Sequence, residues 1–306
     1  MKIRLLILTL IVCALPFDLF SQQIPDSEYD PVIAHPEYPT GKGPLVVIDE
    51  GHNNYHTLNG RYDPFARVLR KDGYVVKPYT GRFEMSALQG VRILVIANAM
   101  NKINVQHWYL PTPSAFAPKE IQDVQKWVED GGSLFLIADH MPMGGAAADL
   151  AASFGFSFTN GFAVDTARGG TSFFTRSEGS LTSDIISNGR NDSERVDSVV
   201  TFTGQAFRIP GKAIPILRFD KRYTLLEPDT AWVFDRSTKL TPLDSTWVQG
   251  AFMEYGQGRV VMFGEAAMFT AQLTGRNLTR AGLNSSFAKG NLKLLLNIIH
   301  WLDHRY

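Results

Sequence analysis

A doubly wound parallel α/β sheet with an inserted β-rich segment is the fold class that this sequence predicts. Three observations carry it. Strand-like apolar runs alternate with helical patterns from Leu45 to Gly155, the spacing of successive β-α-β units. One run, VRILVIANA (91–99), is apolar on both faces, as a strand covered by helices on both sides must be. After a middle section of different character, the α/β pattern returns at Val248.

The elements follow in order. LVVID (45–49) reads as a first strand. PFARVLRKDG (64–73) reads as a helix that starts at a proline, where a missing N–H costs nothing, and stops at a glycine. YVVKPY (74–79) is a second strand and residues 91–99 a third, followed by a long loop containing NKINVQHWYLPTPSAF. PKEIQDVQKWVEDGG (118–132) repeats the helix pattern, with Ile121, Val124, Trp127 and Val128 on one face. SLFLIAD (133–139) is a fourth buried strand, and GGAAADLAASFG (144–155) opens a helix of small residues. The section from about 156 to 247 is Thr- and Ser-rich, with short strand-like runs (VVTFTG, AIPILRF, AWVF). It reads as an insertion or an added antiparallel layer. VQGAFMEYGQGRVVMFGE then forms a hairpin turning at Gly256–Gly258, leading into AAMFTAQL. The last helix, about Ser286 to His304, carries Leu292, Leu295, Leu296, Ile299 and Leu302 on one stripe.

Ahead of this domain (44–306) stand two segments. In MKIRLLILTLIVCALPF, Lys2 and Arg4 precede an apolar run, Leu5 to Phe17, too short to cross a bilayer. This is the pattern of a signal peptide over residues 1–22, cut after Ser21 or Gln22, and it predicts export to a periplasmic or secreted location. The alternative is lipid anchoring at Cys13, for which Val12 is a poor preceding residue. No later stretch is apolar enough to span a membrane. Residues 23–43 are polar and proline-dotted, an extended leader. Cys13 is the only cysteine, so its removal with the signal would exclude disulfides, cysteine-rich zinc sites and a cysteine nucleophile. Lys+Arg 30 balance Asp+Glu 30, without a basic stripe, which argues against nucleic acid as a partner.

Ligands of an open parallel sheet bind beyond the carboxyl ends of its strands, and three strands here end in polar side chains. The first releases Asp49, Glu50, His52, Asn53, Asn54 and His56; the fourth Asp139 and His140; the late strand Glu265. Asp and Asn at such places also close turns and cap helices. Two chemistries fit if the groups converge. One divalent metal could be held by His52 and His56 with Asp49 or Asp139 and activate water, although HNNYH is not a known zinc spacing. Alternatively His140 or His52 moves protons, held by Asp139 or Asp49, with Glu265 as a further acid. No G-x-S-x-G elbow is present.

Glu50, Asn53, Arg61 and Trp108 are the candidate substrate contacts. Arg61 could reach an anion or pair with a carboxylate. Trp108, with His107 and Tyr109, could line a rim for a sugar ring or fold onto the surface. MGGAAADLA could offer N–H groups to an anion or allow close helix–sheet packing, and His300 is expected to pack at the edge of the last helix.

The order LVVID, ILVIANA, EIQDVQKWVEDGGSLFLIADH, GRVVMFGEAAMF and NLKLLLNIIHWL resembles the class I glutamine amidotransferase-like superfamily, a flavodoxin-like fold. Within it the order is most similar to an uncharacterised exported bacterial branch related to the domain shared by gliding-motility and intraflagellar-transport proteins. The resemblance covers roughly 44–155 and 248–303. It implies a nucleophilic cysteine after the fourth strand, where this chain has Ala138-Asp139-His140-Met141. It also implies His-Pro-Glu after a late strand, where Gly264-Glu265-Ala266 stands. Cysteine-dependent glutamine hydrolysis is therefore not expected. Two functions are: an exported hydrolase, metal-assisted or not, acting on a glycan or small polar substrate, or a non-catalytic cell-envelope module binding carbohydrate or a protein partner.

Overall fold

In the computed structural model, residues 23–165, 167 and 169–306 are described; the expected signal peptide and Cys13 lie outside them. The apolar runs become strands of one nine-stranded sheet. Its members are β1 (Leu45–Asp49), β2 (Val75–Tyr79), β3 (Ile93–Ala97), β4 (Ser133–Ile137), β5 (Ser157–Phe158), β6 (Phe207–Arg208), β7 (Ile214–Arg218), β8 (Val248–Tyr255) and β9 (Gly258–Phe263). They lie in the order β2-β1-β3-β4-β9-β8-β6-β5, with β7 also paired to β8. The links from β2 through β1, β3 and β4 to β9 are parallel, and those among β9, β8, β7, β6 and β5 antiparallel. The protein is thus a mixed α/β fold with a mostly parallel central sheet.

Alternation along the strands sends neighbouring side chains to opposite faces, and each face buries its own core. Val46, Ile48, Val95 and Ile137 pack with Phe65 and Leu69 of α1 (Asp63–Lys71) and Leu294, Leu295 and Ile298 of α4 (Lys289–Leu302). Val47, Leu94, Ile96 and Leu136 pack with Val124 and Trp127 of α2 (Pro118–Glu129) and Ala147 and Leu150 of α3 (Met143–Ser153). Each of the Val, Leu, Ile and Phe side chains taken from water contributes about 1.5–3 kcal/mol. The sequence-expected helix ends hold to within a few residues. Gly73 ends the first helical segment at φ +94, and a Cβ there would lie 2.2 Å from the Tyr38 carbonyl oxygen, so only glycine fits both the turn and the approach of the leader.

The middle section is woven into the sheet. β5, β6 and β7 extend it beyond β8. Phe162–Asp165, Tyr223–Glu227 and Lys239–Pro242 form a separate three-stranded antiparallel sheet, and Ser172–Thr175 pairs with Ser198–Thr201. The leader is bound down as well. Gln23–Pro25 pairs with the strand Ala271–Thr274, and Arg67 donates to the carbonyls of Asp26, Ser27 and Tyr29. Among the described residues, no helix is long and apolar enough to cross a membrane.

Candidate functional site

The carboxyl ends of β1, β3, β4 and β9 bring the expected polar residues to one edge, where hydrogen bonding sorts them into three groups. The first is built on Asp49, which is fully buried. Its carboxylate accepts from the Gly51 N–H at 3.0 Å and the Asn54 amide at 2.9 Å, and faces His52 Nδ1 at 2.9 and 3.0 Å. The other ring nitrogen of His52 meets Glu120 Oε1 at 3.0 Å. An imidazole between two carboxylates donates from both nitrogens. Burial alone would lower its pKa, but the hydrogen bonds and charges of Asp49 and Glu120 outweigh burial and raise it. Phe83 and Phe116 flank the ring at 4.5 and 4.8 Å.

The second group joins β3, β4 and the loop after β1. Asn98 Oδ1 accepts from the Asp139 N–H at 2.8 Å, which makes its nitrogen the donor to His56 Nδ1 at 3.0 Å and to Asp139 Oδ2 at 3.1 Å. His56 is buried and its pKa is pushed down to about 3, by burial first and the Arg61 charge second. The neutral ring then carries its proton on Nε2, and the Gln272 amide 3.3 Å away is read with its oxygen toward the ring. Burial raises the Asp139 pKa against the His140 charge and the Asn98 bond. Glu265 is pushed well up by burial and by the Asp139 charge.

The third group is His140 alone. Its Nδ1–H donates to the Met141 carbonyl at 2.8 Å. The ring stacks on Phe162 at 4.3 Å and meets Trp232 edge-on at 4.7 Å, with Trp108 at 6.2 Å. Burial lowers its pKa despite the Asp139 charge. Nε2 is left with a free lone pair, without a hydrogen-bond partner among the described residues.

Several expectations change with this geometry. Asp139 lies next to His140 in the chain but is bonded to Asn98, so the acid that was to hold His140 is replaced by a backbone carbonyl. The two carboxylate oxygens of Glu265 accept from the Ala267 and Met268 N–H groups, both at 2.8 Å; it caps the turn after β9 instead of facing a cleft. Glu50 closes its own loop by accepting from the Leu58 N–H at 2.7 Å. Asn53 is exposed and donates to the Met100 carbonyl. Arg61 lies over the Tyr55 ring and donates to its hydroxyl at 3.0 Å. Trp108 does border the site, edge-on to Tyr55 at 5.4 Å. His300 is buried and bonded to Asp72 at 2.7 Å, not placed at an edge. The α3 glycines serve packing: a Cβ on Gly144 would lie 2.3 Å from the Thr159 carbonyl oxygen, and the Gly145 N–H is taken by Asn160.

A divalent metal does not fit the residues proposed for it. His52 and His56 have each committed both nitrogens, and Asp49 is committed to three partners. Among the described residues, no group of three His, Cys, Asp or Glu side chains is placed to hold a metal ion. Beside His52 there opens instead a polar hollow of about 370 Å³, lined by Gly51, His52, Arg82, Asn101, Ser114 and Glu120 among others. The Arg82 guanidinium has no ion-pair partner among the described residues.

Sequence reasoning missed Glu120, Asn98, Gln272, Phe162 and Trp232. Two carried a signal. Glu120 stands third in the helix and accepts from the Ala117 N–H at 2.8 Å, the back-bond of a helix start; its second oxygen was available for His52. Asn98 directly follows a buried strand, as Asp49 ends one, and takes φ +51, a conformation asparagine tolerates. The others have no local pattern that marks them.

No protein-family profile and no curated protein matches this chain. Among solved structures, the mmIFT52 N-terminal domain matches with a TM-score of 0.59 at 15% identity, over 84% of this chain and 97% of that one. Thua-like proteins from Bacteroides uniformis and Parabacteroides merdae match with TM-scores of 0.45 and 0.44, at 10% and 13% identity, over 87% and 86% of this chain and 94% and 90% of theirs. The mmIFT52 likeness shows a shared α/β fold, consistent with the intraflagellar-transport side of the sequence resemblance. At that identity it carries no chemistry.

Proposed function

We propose that this chain is an exported protein of the amidotransferase-like, doubly wound fold that binds a carbohydrate or other small polar ligand at the carboxyl ends of β1 and β3, without cysteine-dependent glutaminase chemistry. The strand order β2-β1-β3-β4-β9 and the two-sided core support the fold assignment. It makes the gap between β1 and β3 the point where the winding reverses, the usual ligand crevice of open α/β sheets. One observation carries the binding reading: the acid–histidine pairs are closed on themselves. His52 and His56 spend all four ring nitrogens on protein partners, which builds a rigid wall and leaves Arg82 as the charged group facing the polar hollow without an ion-pair partner among the described residues.

A panel of neutral and acidic mono- and oligosaccharides titrated calorimetrically into the purified chain tests this. Saturable binding is expected, weakened at least about tenfold by Arg82→Ala, the loss of one charge-assisted contact, with the thermal midpoint unchanged. Absence of binding across the panel, or binding indifferent to Arg82, sinks the assignment. A hydrolase reading has one observation in its favour: His140 offers a free Nε2 lone pair, the feature a general base needs. Turnover of a bound sugar that His140→Ala abolishes, with binding kept, would replace the binding reading by this one.

A further inference from the structure

A second cleft lies away from all of these groups. It holds about 690 Å³ between the paired strands Ser172–Thr175 and Ser198–Thr201, the hairpin of Ala271–Thr274 with Thr279–Gly282, and the loop that precedes α4. That volume is within the range of small-ligand pockets. Phe173, Val200, Phe202 and Phe287 give it apolar lining, beside Thr and Ser residues. Phe287 is 70% exposed and meets Phe173 edge-on at 6.4 Å. A phenylalanine left this open, beside two others in one concavity, is apolar surface without a protein cover. None of the lining residues is acidic; Arg280 supplies their only formal charge and has no partner among the described residues.

From this we infer that the cleft is a second binding site, for an amphiphile with an apolar body and one anionic head group, such as a medium-chain carboxylate. The phenylalanines take the apolar body out of water. Arg280 pairs with the head group at the mouth, where an ammonium head would meet only like charge. The site shares no lining residue with the polar hollow at His52, and the residues that build it belong to the middle section, the hairpin and the loop before α4.

Dodecanoate, titrated below its micelle concentration into the purified chain and followed by calorimetry, is expected to bind at one equivalent. Arg280→Gln should weaken it about tenfold, and Phe287→Ser, at a surface position where folding is not at stake, should weaken it too. Arg82→Ala should leave it unchanged, which separates this site from the polar hollow. Dodecyltrimethylammonium should not bind. The inference is overturned by absence of saturable dodecanoate binding, by binding that both cleft variants leave intact, or by equal affinity for the cationic amphiphile.

Discussion

His52 sits where a charge would ordinarily be expensive, and two carboxylates make it stable there. Its raised pKa has a definite consequence for folding. A group whose pKa is higher folded than unfolded stabilises the fold fully below the unfolded value, 6.5 for His52, and that stability is lost as pH rises through the folded value. Glu120 mirrors it. Burial would raise its pKa, but the Ala117 N–H and His52 hold it below the usual 4.5, so its contribution is lost as pH falls through the lowered value. His56 adds a second acid limit: the unfolded ring takes a proton below 6.5, whereas the folded ring resists down to about 3. Stability should therefore fall at both ends of the pH scale. His52→Gln is expected to cost about 3 kcal/mol near pH 6, the order of breaking a buried ion pair, and to remove the alkaline decline. Urea unfolding of both proteins from pH 5 to 9 checks this; a wild-type curve flat on the alkaline side would mean that His52 is not charged when folded.

At the scale of elements, the site is closed by two loops from distant parts of the chain. The loop after β3 and the segment that contains Trp232 are joined by hydrogen bonds, Leu110 N–H to the Asp229 carbonyl at 2.9 Å and Ala231 N–H to the Trp108 carbonyl at 2.8 Å. They bring Trp108 and Trp232 to His140 together. Burial under this aromatic cover is the first cause of the lowered His140 pKa. Trp232→Ala should open the ring to water and move that pKa upward toward 6.5, a shift measurable as the midpoint of the ring-proton titration in NMR. An unmoved midpoint would show that Trp232, which is itself 55% exposed, does not seal the ring. Phe162 stacks on the same imidazole and opens the three-stranded sheet of the middle section, so His140 also pins that sheet to the strand ends.

Across the whole molecule the leader acts as a strap. After its strand on Gln272–Thr274, it crosses α1, where Arg67 and Lys71 hold its carbonyls, and ends against the terminal helix. There Tyr38 donates to Asp303, while Glu37 pairs with Arg190 and Arg305. One strap thus ties α1, the middle section and α4. Arg67→Ala removes three donors to leader carbonyls and should destabilise the chain by about 2 kcal/mol, while making residues 26–43 cleavable by protease before the sheet is. Leader cleavage no faster than in the parent chain would show that the strand pairing alone holds it.

The main strands and helices were legible because each is encoded locally. LVVID, ILVIA and SLFLI are apolar at successive positions, and α1 and α2 announce themselves with Pro64 and Pro118. The carboxyl-edge location of Asp49, His52, Asp139 and His140 followed from that alternation. Their roles did not. The partners that decide them are far away in the chain: Glu120 is 68 residues from His52, Asn98 is 42 from His56, and Gln272 is 216 from His56. The sequence by itself therefore determined the α/β alternation, the mostly parallel sheet and the edge at which polar groups gather, since periodicity and breakers act over a few residues. Only the tertiary structure decided which of those groups are spent on one another, that among His52, His56 and His140 it is His140 that keeps a ring nitrogen without a partner among the described residues, and that Phe173, Phe202 and Phe287 share a cleft. Hydrogen bonds and cavities are made by residues that meet in space, and no local pattern records the meeting.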